Sequence, residues 1–191
     1  MRKSREQIDN VVKRTRLYRQ LHRWIAIFAL WFMFLIGFTG LLLGWKKHSG
    51  LLPPTQKGKN TDGAAWISID SLQRIAQRYS QDSLQKPTEI DRIDIRPAKG
   101  TAKMVFAEHF TELQLDCTTG EILSVRQRNS DIIEKIHDAS ILDFLFKTSN
   151  EQLKLSYTTL ASVSLMLLSL SGFWLWYNPK RIRKYKAAPT E

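Results

Sequence analysis

Two runs of apolar residues, Trp24–Trp45 and Leu155–Tyr177, constrain this chain more than any other feature. They hold 22 and 23 residues, and neither contains an Asp, Glu, Lys or Arg. At about 1.5 Å per residue each makes a helix of roughly 33 Å, enough to cross a hydrocarbon core. A segment surrounded by lipid must satisfy its own backbone hydrogen bonds, so both runs are expected to be α-helical spans.

Charge sets the expected orientation. Residues 1–23 carry eight Lys/Arg against Glu6 and Asp9, and residues 178–191 carry five against Glu191. The 109 residues between the spans hold sixteen bases and fifteen acids, so almost all of the net +11 lies in two short terminal segments. Bases close to span ends are retained on the cytoplasmic side, which puts both termini inside and the loop outside. The same distribution accounts for the pI near 9.9 by juxtamembrane retention and attraction to anionic lipid, so no nucleic-acid partner is expected.

The first run is longer than a signal-peptide core and no small-x-small cleavage site follows it, so it is expected to stay as an anchor. Trp24 and Trp45 lie at its ends as interfacial residues, and Trp174, Trp176 and Tyr177 do the same for the second run. Pro179 is expected to stop that helix. Gly37, Gly40 and Gly44 in the first run, with Gly172 in the second, suit close helix packing. They fit packing within one chain or between two copies equally well.

The loop Lys46–Lys154 is long enough for one small domain. Residues 46–65, with Pro53-Pro54 and scattered Gly, Asn and Thr, read as a linker. From Trp66, a helix capped by Ser68 or Asp70 presents Leu72, Ile75, Ala76 and Tyr79 on one face. Ile90–Ile95, Lys103–Phe110, Thr111–Cys117 and Glu121–Arg128 read as four strands, with turns at Pro97–Gly100 and Thr118–Gly120. Asp131 and Glu134 have capping-box spacing at the start of a helix, and Thr148 and Glu151 repeat it before the second span. Ile141–Phe146 is a short apolar run expected to lie at the outer membrane surface. The expected order is therefore a basic segment 1–23, span 24–45, linker 46–65, domain 66–128, helical return 129–154, span 155–177 and basic tail 178–191.

Leu21-His22-Arg23-Trp24 entering a span with Thr39-Gly40, then Leu115-Asp116-x-x-x-Gly120-Glu121, Ile136-His137-Asp138 and Ser171-Gly172-Phe-Trp-Leu-Trp, follow one another in an order that resembles the PepSY-associated transmembrane proteins. The resemblance covers Tyr18 to Pro179. It implies a membrane α+β fold: two transmembrane helices bracketing one extracytoplasmic PepSY-like module of helix plus antiparallel sheet. Members of that family include iron-regulated membrane proteins and ferric-siderophore reductases of the bacterial inner membrane, some of which hold b-type haem through histidines near span ends. The chain departs from the reductases in having two spans only, and in carrying Ala139 where a His-Asp-Gly-Ser form would have glycine.

Histidines are where such chemistry would reside. His22 and His48 are 26 residues apart, roughly 39 Å along a helix, so one haem cannot use both within one chain. The expectation is an outer haem or metal pair of His48 and His137, and an inner pairing of His22 with the same residue of a second copy. An interfacial histidine can equally serve as a headgroup contact, and His137 beside Asp138 can be a cap. His109, on a strand, reads as a packing residue. Cys117 is the sole cysteine and reads as buried, so no disulfide or Cys-rich metal site is expected. Hydrolase and phosphate-loop motifs are absent. Three functions remain: electron transfer in iron or siderophore uptake, a non-enzymatic periplasmic binding or regulatory module, and a structural subunit of a membrane complex. The expected partners are the bilayer, a second copy or larger assembly, and a periplasmic protein or siderophore.

Overall fold

The computed structural model describes the backbone of residues 2–187, and the side chains from Asn10 to Arg183 except Ser149 and Arg181. The chain divides into two compact units, Met1–Phe38 with His137–Glu191, and Thr39–Ile136.

The first unit is helical. Helix α1 runs unbroken from Arg2 to Gly44, so the basic leader is a continuation of the first span, and Trp45 falls in the turn just beyond it. Helix α5 runs from Gln152 to Ala187. Contrary to expectation, Pro179 does not end it; the helix continues past the ring, which removes only one backbone bond of a long ladder. The two helices pack antiparallel. Their less exposed positions, Thr15, His22, Ile25, Ala29, Phe32 and Ile36 on α1 and Tyr157, Ala161, Ser164, Leu168, Ser171, Leu175 and Asn178 on α5, recur at heptad steps of three and four. That is the seam of two left-handed supercoiling helices. Ring contacts Tyr18–Trp174 (5.7 Å) and Phe32–Tyr157 (5.4 Å) set its register.

Ala161 and Ser164 therefore face α1, and Gly172 lies against His22. Two of the first-span glycines have open surroundings: a Cβ added at Gly37 or Gly44 would meet nothing within 4 Å, while Gly40 is half-buried. Only 11% and 17% of the two apolar spans is buried by the protein, and residues such as Trp31, Phe34 and Leu170 are largely exposed. Helices this apolar and this uncovered are solvated by lipid.

Before α5, the short helix α4 (Ser140–Phe146) exposes Leu145 and Phe146 while burying Asp143. The expected capping box at Thr148 is not formed. Instead the Asp143 carboxylate accepts from the Leu153 and Lys154 N–H groups and from the Thr148 hydroxyl, capping α5 from another helix. Ala139 sits at φ +62°, in the left-handed region where the related glycine would be at ease.

The second unit is a four-stranded antiparallel sheet in the order β1 (Ile90–Arg96), β2 (Thr101–Phe106), β3 (Thr111–Asp116), β4 (Ile122–Gln127), with helix α2 (Ile69–Tyr79) on one face. Ser68 caps α2, accepting from Ser71 N–H. Its Leu72 and Ala76 pack on Ala102, Met104, Phe106, Leu113, Leu115 and Cys117, the alternate residues of β2 and β3 and the first residue past β3. Helix α3 (Asn129–His137) follows β4 and begins before Asp131, so that residue is an internal position rather than a cap. Strand β2 is shorter than expected, ending at Phe106 ahead of a turn in which Phe110 takes φ +51°.

The segment expected as a linker is bound to the other face of the sheet. Gln114 accepts from Gln56 N–H and donates to the Pro54 carbonyl, and Thr101 donates to the Gln56 carbonyl. Gly58 N–H donates to Lys99 O. The strap crosses the β1–β2 turn where neither chain has a side chain: a Cβ at Gly58 would lie 2.2 Å from Gly100 O, and one at Gly100 would lie 2.1 Å from Asn60 O. Covered on both faces, every residue of β2 and β3 is buried.

Candidate functional site

The motif residues divide between structural work and one imidazole held by a hydroxyl in the helix seam. The Asp116-x-x-x-Gly120-Glu121 sequence is structural. The Asp116 carboxylate accepts from the N–H groups of Thr118, Thr119 and Lys59, so it closes the β3–β4 turn and pins the strap. Burial opposes its charge, but these donors prevail and hold its pKa below the usual carboxylate value. Gly120 takes φ +73°, and a Cβ there would lie 2.5 Å from Ile75 Cδ1 of α2. Glu121 pairs with Lys59 at 2.6 Å.

Beneath the strap lies a buried ionic cluster that the sequence pattern did not lead one to expect. Glu112 is 1% exposed and accepts from Lys103 Nζ (3.0 Å), Arg128 Nη1 (2.5 Å) and Gln114 Nε2. Asp131 accepts from Arg128 Nε (3.0 Å) and Arg92 Nη2 (2.5 Å). Burial pushes the Asp131 carboxyl up, and the hydrogen bond and charge of Arg128, with Arg92, more than reverse this. Burial likewise opposes the Arg128 charge, and its two carboxylate partners raise its pKa on balance. Lys103, Glu112 and Gln114 alternate with apolar residues, which in isolation describes a solvated strand face. Only the paired glycines at the strap crossing hint that this face is covered.

His22 is the histidine whose surroundings suit a ligand. Its Nδ1 lies 2.8 Å from Ser171 Oγ, while that hydroxyl is 2.5 Å from the Leu167 carbonyl. A serine has one proton, and the carbonyl can only accept, so Ser171 donates to Leu167 and accepts from His22 Nδ1–H. The imidazole is thereby held as the Nδ1–H tautomer, leaving the lone pair on Nε2. This is the arrangement by which outer partners orient ligating histidines. The same end of the seam, the one nearer the two termini in sequence, carries Asn178, 1% exposed, whose amide donates to Thr15 Oγ1 at 3.2 Å. Among the described residues, Asn178 Oδ1 and Trp174 Nε1 are buried without a hydrogen-bond partner. The Tyr157 hydroxyl, toward the other end of the seam, is likewise buried without a partner among the described residues.

The other histidines have local surroundings of a different kind. His109 uses both nitrogens, Nε2 donating to Pro87 O (3.2 Å) and Nδ1 accepting from Thr111 (2.6 Å), and stacks on Phe106 at 4.9 Å. Burial lowers its pKa. It is a packing residue, as expected. His48 is exposed in the turn after α1, edge-on to Trp45. His137 closes α3, and its neighbour Asp138 caps α4 through Ser140 N–H and approaches Lys154 at 3.5 Å. His48 belongs to the sheet unit and His137 to the helical unit. Cys117 is buried in the core, which raises its thiol pKa and leaves it inert. Among the described residues, no group of three or more His, Cys, Asp or Glu is placed to hold a metal ion.

Two lipid-solvated helices bracketing a helix-on-sheet module define a two-span membrane protein. The family model described as the PepSY-associated TM region matches residues 19–189, and the chain belongs to that family. No curated protein and no solved structure matches it.

Proposed function

We propose that this protein is a bacterial inner-membrane electron-transfer component of iron or siderophore handling, with both termini cytoplasmic and the sheet module periplasmic. The concentration of positive charge in the terminal segments supports that orientation. His22 carries the functional proposal: one imidazole at the inner end of the seam, fixed by Ser171 so that Nε2 is available.

The group that fits is a b-type haem, which when bound supplies one-electron redox chemistry. One chain offers one such imidazole at this level, so His22 of a second copy would supply the other ligand to the group. Ser171 is a positioning residue, keeping the ring in one tautomer. Trp174 Nε1 and Asn178 Oδ1, a donor and an acceptor unpartnered among the described residues, lie in the same stretch of seam.

The test is a reduced-minus-oxidised spectrum of the full-length protein in detergent, purified from cells supplied with haem. A b-type spectrum that disappears in His22→Leu is the expected result, with occupancy lowered several-fold in Ser171→Ala. Absence of haem from the wild-type protein overturns the proposal. His48→Leu and His137→Leu in the same assay test the outer pair. A binding or regulatory subunit without a redox centre is the alternative, favoured by a basic groove in the sheet unit.

A further inference from the structure

A groove of about 360 Å³ opens in the sheet unit between the start of the strap and the β1–β2 turn. Its wall carries Lys47, Arg96, Lys99, Lys103 and Arg128, interrupted by apolar residues such as Leu52, and among the described residues no carboxylate lines it. The acids paired with the cations of this region lie below or beside it. Glu112 and Asp131 are bound to Lys103, Arg128 and Arg92, Asp91 pairs with Arg92, and Asp94 stands 3.9 Å from both Arg92 and Arg96. With Arg92 included, these six cations face four carboxylates, and the surplus positive charge lies with the exposed cations at the rim of the groove. Folding has brought together bases from separate segments: Lys103 and Arg128 are paired in the cluster below, while Lys47, Arg96 and Lys99 stand exposed around the opening. An anion is what such a concavity accommodates.

We propose that this groove binds a phosphate-bearing anion of lipid-headgroup size. The mixture of guanidinium and ammonium groups suits a phosphoryl oxygen cluster, with Arg96 able to bind two oxygens at once. The volume exceeds what a free phosphate ion fills and leaves room for a glycerol-like substituent against Leu52. Lys47 follows Trp45 at the end of the first span, within the interfacial belt of residues, where headgroup phosphates are concentrated. Lys103 and Arg128 are held in place by the buried cluster, while Lys99, donating to the Thr55 carbonyl at 2.8 Å, and Arg96 form the adjustable outer rim. The site does not depend on haem.

Two arms distinguish the source of the phosphate, using full-length protein throughout. In neutral detergent, sn-glycerol 1-phosphate and inorganic phosphate are titrated by calorimetry. In nanodiscs of phosphatidylcholine alone or with about one third phosphatidylglycerol, native mass spectrometry counts retained anionic lipid. Arg96→Gln/Lys99→Gln is the variant, because neither side chain belongs to the buried cluster; unchanged protection of Cys117 from thiol reagents shows that it folds. The proposal expects at least tenfold weaker binding in the variant, rescue by Lys99→Arg combined with native Arg96, and weakening by added salt. Binding in the detergent arm identifies a soluble phosphate compound, and retention of phosphatidylglycerol alone identifies a lipid. No binding in either arm, or binding indifferent to the double substitution, overturns it.

Discussion

Replacing Glu112 with glutamine should unfold the sheet module far more readily than any surface change. Among the described residues Glu112 is the sole carboxylate bonded to Lys103 and one of two bonded to Arg128, and all three side chains are nearly inaccessible to water. The amide keeps the shape and loses the charge, leaving a buried ammonium without its counterion. Breaking a buried pair from one side costs about 3–5 kcal/mol. Cys117 offers the assay: the only thiol in the chain, 1% exposed, it sits in the core between α2 and the sheet. When opening is rapid and reversible, its labelling rate scales with the open population, and about 1.4 kcal/mol corresponds to tenfold. Glu112→Gln should therefore accelerate labelling by roughly 10² to several times 10³. Lys103→Met is the control, since Glu112 retains Arg128 and Gln114; it should accelerate labelling by less than about tenfold, as trading a buried charge for an apolar side chain often costs little. Acceleration below about fivefold for Glu112→Gln, or equal effects of the two substitutions, would refute the view that buried charge is balanced here by Glu112.

Two further outcomes follow from the same unit. Asp116 and Asp131 both have pKa values held below the usual 3.8, so their stabilisation is fully present above that value and is lost as pH falls through the lower folded values. Cys117 labelling with a pyridyl disulfide, which reacts in acid, should be flat from neutrality to about pH 4 and rise steeply below it; a rise beginning near pH 6 would contradict this. Gly120→Ala forces a side chain into a left-handed residue and against Ile75, at a combined cost of about 2–4 kcal/mol, and should speed labelling by at least tenfold.

The elements that the chain's own pattern made legible are those specified by local physics. Twenty-odd residues without charge can only be helical in lipid, the i, i+3, i+4 spacing of Leu72, Ile75, Ala76 and Tyr79 selects a helix face, and alternation with Gly or Pro at the turns marks each strand. Those signals depend on near neighbours, and α2 and the four strands fall close to their expected places. The order of motifs from His22 to Trp176 also carried family membership, because it samples the whole chain.

What tertiary structure decided depends on residues far apart in sequence. The run 54–60 has linker composition, yet Gln114, Thr101 and Asp116, more than forty residues on, bind it to the sheet. That cover turns Lys103 and Glu112 from a solvated face into a buried ion cluster, and Asp131 from a helix cap into part of it. Asp143 displaces the Thr148 capping box because a neighbouring helix delivers a carboxylate to the open end of α5. Among the histidines, spacing alone could not tell their surroundings apart; the difference lies in what faces each ring nitrogen, Ser171 at His22 and two protein partners at His109. Periodicity reports which side of an element is apolar, whereas the group that arrives to meet its polar side is set only when the chain closes on itself.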